Sequence, residues 1–226
     1  RLLPLFKIAA VLLIALGLYI GFGVAPTDHQ QGESYRIIFI HVPSAWIGMI
    51  CYVAMAFWGG VGLVLNTRMS FMMMRALAPT GALFTFLCLW TGALWGKPTW
   101  GTWWVWDARL TSMLLLLFLY IGFTALTSAI EDTRRGDRAG AVLALAGVIN
   151  VPIIYFSVKW WNTLHQGASV TMTGSSMAQI MLWGMLISAI GFWSYAIAAV
   201  LSRARSIVLE REKQADWVRK LPEVAS

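Results

Sequence analysis

The chain has 226 residues, of which 59% are hydrophobic and only 12% charged, and a mean hydropathy of +0.70. A water-soluble domain carries roughly twice that charged fraction, about 25%, so the composition excludes an ordinary soluble domain and reads as an integral membrane protein. The net charge of +7 does not point to nucleic acid, because the basic residues fall between and after apolar runs rather than along one face.

In chain order, six apolar runs are long enough to span a bilayer, each needing about 20 residues. They are approximately 5–25, 42–65, 76–95, 109–130, 139–160 and 177–201. The first run is basic at its front and could pass for a signal peptide. Pro26 after Ala25 makes a poor cleavage site, however, and the run is long enough to span, so it reads as a helix. Thirteen Lys and Arg fall on one side of these runs, and four (Arg36, Lys97, Arg109 and Lys159) fall on the other. The positive-inside rule then places both termini in the cytoplasm. In a bacterium, the opposite face of the inner membrane is periplasmic. The cytoplasmic connectors MSFMMMR (69–75) and EDTRRGDR (131–138) read as solvated loops, and the basic tail 202–226 as an inner-surface anchor. No repeat divides the chain, which reads as one all-α domain with six transmembrane helices over 1–226.

Three loops face outward: 26–41, 96–108 and 161–176. The segment 95–109, WGKPTWGTWWVWDAR, holds Trp95, Trp100, Trp103, Trp104 and Trp106 together with Gly96, Gly101 and Pro98. That Gly/Pro content argues for a loop between the third and fourth helices rather than a helix. Indoles offer an apolar body with one N–H and sit well at a membrane surface. Five of them exceed what an anchoring belt needs, and an aromatic platform for a flat ligand explains the density. The chain's three histidines are His29, His41 and His165, all in the outward loops. His41, in IIFIHVPSAW, precedes Pro43, which suits the first turn of a helix. His165, in KWWNTLHQGAS, follows the fifth run. Two imidazoles beside an aromatic platform match six-coordinate heme, a flat macrocycle with one nitrogen ligand on each face. His29 has no aromatic setting and reads as a solvated residue.

Zinc would need three or four ligands. Asp28, Glu33 and Asp107 are the only acidic candidates, and they lack metal-ligand spacing. Cys51 and Cys88 form neither CxxC nor CxxCH and read as small buried hydrophobes. No GxSxG or paired nucleophile and base supports hydrolase chemistry. Arg36, Lys97 and Arg109 are the outward cations that could meet heme propionates, and each is equally explained as an interfacial side chain. Asp107 suits an N-cap of the fourth helix. The six runs hold no mid-membrane ionisable group of the kind that ion-coupled transport uses.

WGKPTWGTWWVWDARLT closely resembles the tryptophan-rich WWD signature of the heme-handling superfamily of cytochrome c biogenesis. With HVPSAW before it and WWNTLHQGAS after it, the short six-helix form is similar to the CcmC (heme exporter protein C) family. The resemblance runs from Tyr35 to Ser169. It implies non-covalent heme (heme b) held at the periplasmic face, with His41 and His165 as axial ligands and the WWD tryptophans as platform. It further implies delivery to the heme chaperone CcmE, in company with CcmD and the ATP-driven CcmA–CcmB complex, by a subunit that is not itself an enzyme. Three rival readings are a heme lyase that makes the covalent chaperone–heme bond, a scaffold subunit without heme, and a heme channel. No polar path through the helices supports the last.

Overall fold

The computed structural model describes residues 2–165, 167, 170–171, 174–175, 177–219 and 221. Arg1, Lys220 and the 222–226 end of the basic tail lie outside the described residues, as do Gln166, Ala168 and Ser169 at the end of the second histidine motif.

Six helical spans account for most of the chain. Helix α1 (Leu3–Tyr19) starts on Pro4, which supplies no N–H that would need a partner there. It runs on as a π-helical turn over Ile20–Val24. A 3-10 turn, Glu33–Ile37, feeds α2 (Ile38–Leu65), which ends at Asn66 in the left-handed conformation, φ 52°. Helix α3 covers Arg68–Trp100 and stops at Gly101, φ 79°. Helix α4 (Ala108–Ala129) follows. The fifth span is broken into α5 (Thr133–Gly147) and α6 (Asn150–Trp160). Helix α7 (Gln179–Arg211) is the sixth span, and a short α8 (Asp216–Arg219) comes after it. Between α6 and α7, β1 (Val170–Thr171) pairs antiparallel with β2 (Gly174–Ser175).

The main core lies between α2, α3, α4, α5 and α7. At its centre Tyr52 and Tyr120 are fully buried and meet edge to face, with 5.0 Å between ring centroids. The Tyr120 hydroxyl donates to the Gly48 carbonyl at 2.8 Å. Gly81 lies against the Tyr120 ring so closely that a methyl group there would collide with it. Helix α1 packs mainly on α7, where Gly17 abuts Ser188 and Gly191 abuts Ile14. Small residues let two backbones approach in lipid, where helix association relies on packing rather than on the hydrophobic effect.

The helices outrun the apolar runs that announce them, and two of the expected loops are helical. MSFMMMR belongs to α3, with Ser70, Phe71, Met72 and Met74 buried. The RRGDR half of the second connector belongs to α5. A hydropathy window finds only the lipid-facing stretch; these helix ends sit beyond it and are held by charge. Asp137, 3% exposed, receives Arg75 Nε from α3 and both terminal nitrogens of Arg211 from α7, at 2.8 and 3.0 Å. Helix α7 likewise continues ten residues past 201, and Arg203 donates to the Ala76 carbonyl and to Thr80 Oγ1.

Candidate ligand-binding site

At the tryptophan-rich end of the bundle, α2, α3, α4, α6 and the segment after α6 enclose one small cavity of about 40 Å³. His41, Cys88, Gly92, Trp104, Arg109 and His165 are among the residues that line it. The two outward-loop histidines with an aromatic setting therefore meet in space, and His29 stays exposed on a turn.

His41 does not precede its helix. It is the fourth residue of α2, and Pro43 lies inside the helix. The 3-10 turn over Glu33–Ile37 starts the winding earlier than the proline would suggest. Its imidazole is fixed from α3. Nδ1 lies 3.1 Å from Thr91 Oγ1, and Thr91 spends its single proton on the Leu87 carbonyl at 2.6 Å. The Thr91 oxygen must then accept from Nδ1–H, so in the neutral imidazole the lone pair is on Nε2 of His41. Trp95 packs edge-on against the same ring, 5.7 Å between centroids, and its Nε1 donates to Gln31 Oε1. Gly92 opposite leaves the room that the imidazole occupies.

His165 is carried by the irregular segment after Trp160 and is held by Asp107. Oδ1 of Asp107 accepts the Leu110 N–H at 2.8 Å and so caps α4. Oδ2 accepts the Thr163 hydroxyl, and Thr163 Oγ1 in turn accepts the His165 backbone N–H at 3.0 Å. One carboxylate thus starts a helix and staples the histidine segment to it. His165 Nδ1 lies 3.5 Å from Asp107 Oδ2 and is buried without a hydrogen bond among the described residues. Burial first, and then the Arg109 guanidinium, push the His165 imidazole down to about 4 against the opposing pull of Asp107. At neutral pH it is uncharged, the form that binds a metal.

The five tryptophans do not form a single loop or a single flat shelf. Trp95 and Trp100 are in α3, since Pro98 costs the helix one donor without breaking it; Thr99 Oγ1 adds a bond to the Trp95 carbonyl at 2.7 Å. Only 101–107 are non-helical. Trp100 packs on His165 as Trp95 does on His41. Trp104 lines the cavity, and its Nε1 is buried without a partner among the described residues. Trp103 and Trp106 are exposed, at 54% and 77%; Lys97 lies over the Trp103 ring, and Trp106 meets Trp104 edge-on.

The three outward cations expected to meet propionates also separate. Arg36 binds Glu33 and the Gly21 carbonyl, and Lys97 donates to the Gly101 carbonyl. Arg109 faces the cavity, half-buried, and its guanidinium has no hydrogen-bond partner among the described residues. A cation drawn partly out of water gains from an anionic partner, and a carboxylate would supply one. The residues that sequence reasoning missed are Thr91 and Thr163. Hydroxyls in apolar surroundings give no pattern of their own, and only folding brings them to the histidines. No cluster of three or more His, Cys, Asp or Glu able to hold a metal ion occurs among the described residues.

A six-span helical membrane protein that gathers two imidazoles, a guanidinium and an indole N–H around one cavity has the donor set of the class that handles metal-bearing, carboxylate-bearing ligands. Residues 1–219 match the CcmC family, heme exporter protein C. The heme exporter protein C of Escherichia coli (strain K12) is 48% identical over 219 residues, 97% of this chain and 89% of that protein. That of Haemophilus influenzae is 46% identical over 222 residues, covering 98% and 90%. A cytochrome c biosynthesis ccmC-like mitochondrial protein of Marchantia polymorpha is 41% identical over 197 residues, covering 87% and 84%. The chain belongs to the CcmC family.

Proposed function

We propose that this protein binds heme non-covalently at the tryptophan-rich end of its bundle and delivers it to the chaperone CcmE during c-type cytochrome biogenesis. One observation carries the reading: His41, His165 and the unpartnered Arg109 line the same cavity. His41 and His165 would hold the heme iron, each through Nε2. Arg109 meets a propionate, for which a charge-assisted hydrogen bond contributes about 1.5–3 kcal/mol. Trp95 and Trp100 brace the two imidazoles, Trp104 offers its indole N–H, and the exposed Trp103 and Trp106 form the rim that the chaperone meets. Arg36 and Lys97 have local partners and serve the architecture of the rim. Heme, when bound, would supply an iron centre able to accept two imidazole nitrogens.

The site has to open to load. Pockets for ligands of this size run to about 300–1,000 Å³, against about 40 Å³ here. The wall without regular structure is the 161–165 segment, which reaches the bundle through Thr163–Asp107 and the Trp100 ring. It hangs from α6, itself set off from α5 by the break at 148–149.

The distribution of Lys and Arg supports a bacterial inner-membrane location with the site facing the periplasm. The protein acts as a heme-handling subunit beside CcmD and CcmA–CcmB rather than as an enzyme. In membranes supplied with apo-CcmE and heme, covalent heme–CcmE is expected to accumulate with the native chain. It is expected to fall at least tenfold with His41→Ala/His165→Ala. Equal adduct from both would overturn the reading.

A further inference from the structure

We infer that the two histidines are unequal ligands, because Asp107 backs His165 with a carboxylate whereas Thr91 backs His41 with a neutral hydroxyl. The inference rests on the bis-histidine reading above and adds an order to it: His165 is the strong ligand and His41 the one that yields.

The partner of the non-ligating nitrogen sets the electron-donating power of a metal-bound imidazole. An anionic acceptor draws the N–H proton and raises ligand basicity more than a neutral one, and removing such a partner costs about 10–100-fold in metal affinity. At His41 the Nδ1 partner is the Thr91 oxygen, 3.1 Å away and already committed to Leu87, and the Cys88 carbonyl also bears on the ring. Both are uncharged acceptors. At His165 the Nδ1 partner is Asp107 Oδ2, 3.5 Å away. That nitrogen is buried and has no other acceptor among the described residues, so it is positioned to donate to the carboxylate once Nε2 is engaged. Asp107 divides its charge among the Leu110 N–H, the Thr163 hydroxyl and His165, and this tempers the effect without cancelling it. The same contacts fix His165 in place although it sits on an irregular segment. Asp107 is therefore a positioning residue that also tunes the ligand.

The order has a consequence for transfer. A ligand supplied by an incoming partner would displace His41, on the α2 side, while His165 keeps hold from the WWD side. The exposed tryptophan rim and the retained ligand would then be on one wall.

The test uses the full chain in detergent, loaded with hemin and reduced, in single-histidine backgrounds. His41→Gly leaves His165 as the sole protein ligand, and His165→Gly leaves His41. The iron–imidazole stretching band in resonance Raman spectra reads ligand basicity directly. The band of His41→Gly is expected at higher frequency than that of His165→Gly. Adding Asp107→Asn to His41→Gly should lower it to near the other, whereas Thr91→Val should leave the His41→Gly band unmoved. Asparagine still caps α4, so the fold is kept. In the two-histidine protein, Asp107→Asn should weaken hemin binding about 10-fold or more. Equal bands in the two single-histidine variants, or a His41→Gly band that Asp107→Asn does not shift, would overturn the inference while the heme site stands. Absence of bound heme in every variant and in the native chain would overturn both.

Discussion

The rings of Trp100 and His165 meet at 4.8 Å between centroids, inclined at 64°. This contact joins the last residue of α3 to a segment that has no regular structure of its own. Trp95 bears on His41 in the same manner, one helical turn earlier. Aromatic pairs of this geometry contribute about 0.5–1.5 kcal/mol beyond buried area. Trp100→Ala should therefore weaken hemin binding by about 3- to 10-fold through a looser His165, and Trp100→Phe should largely preserve it. Isothermal or spectrophotometric titration with hemin reads the difference. Identical affinities for the alanine and native proteins would argue that Trp100 anchors the chain in the membrane and nothing more.

Arg109 separates binding of the macrocycle from binding of its carboxylates. Replacing it with glutamine should lower hemin affinity by about 10- to 100-fold, the equivalent of one charge-assisted bond. Hemin dimethyl ester, which has no free carboxylate, should bind the native protein and Arg109→Gln with equal affinity. A native preference for hemin over its ester that survives Arg109→Gln would assign the carboxylates elsewhere.

The His165 segment should dock in a pH-dependent way, with a definite sign. When the segment is released His165 titrates near its ordinary 6.5, and when docked near 4. Between those values the released form binds more protons, so docking is complete above about 6.5 and is lost as pH falls toward 4. Proteolysis or hydrogen exchange over 161–165 should stay low from pH 8 to 6.5 and then rise as pH falls. His165→Gln should flatten that rise. Exchange that increases with rising pH, after correction for intrinsic rates, would contradict the neutral buried imidazole.

At the opposite end of the bundle, Asp137 joins α3, α5 and α7 through Arg75 and Arg211. Asp137→Ala leaves two guanidiniums facing one another, and breaking a buried pair of this kind costs about 3–5 kcal/mol. The two arginines are partly exposed, which puts the expected loss at the low end, about 3 kcal/mol. A clear drop in Tm in detergent is expected, with hemin affinity per folded molecule unchanged because the cluster is remote from the cavity. A native-like Tm would show that the cluster adds nothing to stability.

Much of this architecture is legible in the sequence, because lipid imposes long apolar runs and each of the six spans carries one. What hydropathy cannot see is where a helix continues into charge. Arg75, Asp137 and Arg211 look like connector and tail residues until three helices bring them together. The site divides along similar lines. The tryptophan segment and the two histidines stand out by composition, but Gly96 and Pro98 suggest a loop where α3 persists to Trp100. Packing of Trp95 and Trp100 on the histidines outweighs local propensity there. Thr91 and Thr163 carry no sequence signal, since their roles exist only across elements. The difference between Arg109 and its fellow cations is likewise a matter of who else is nearby.

The most direct measurement is the absorption spectrum of the purified protein titrated with hemin, with His41→Ala and His165→Ala run beside it. The native chain should develop a Soret band with low-spin bis-histidine features, and each variant should lose or shift it. A native protein that takes up no hemin, or variants with unaltered spectra, would remove His41 and His165 as ligands and leave the tryptophan segment as a membrane anchor.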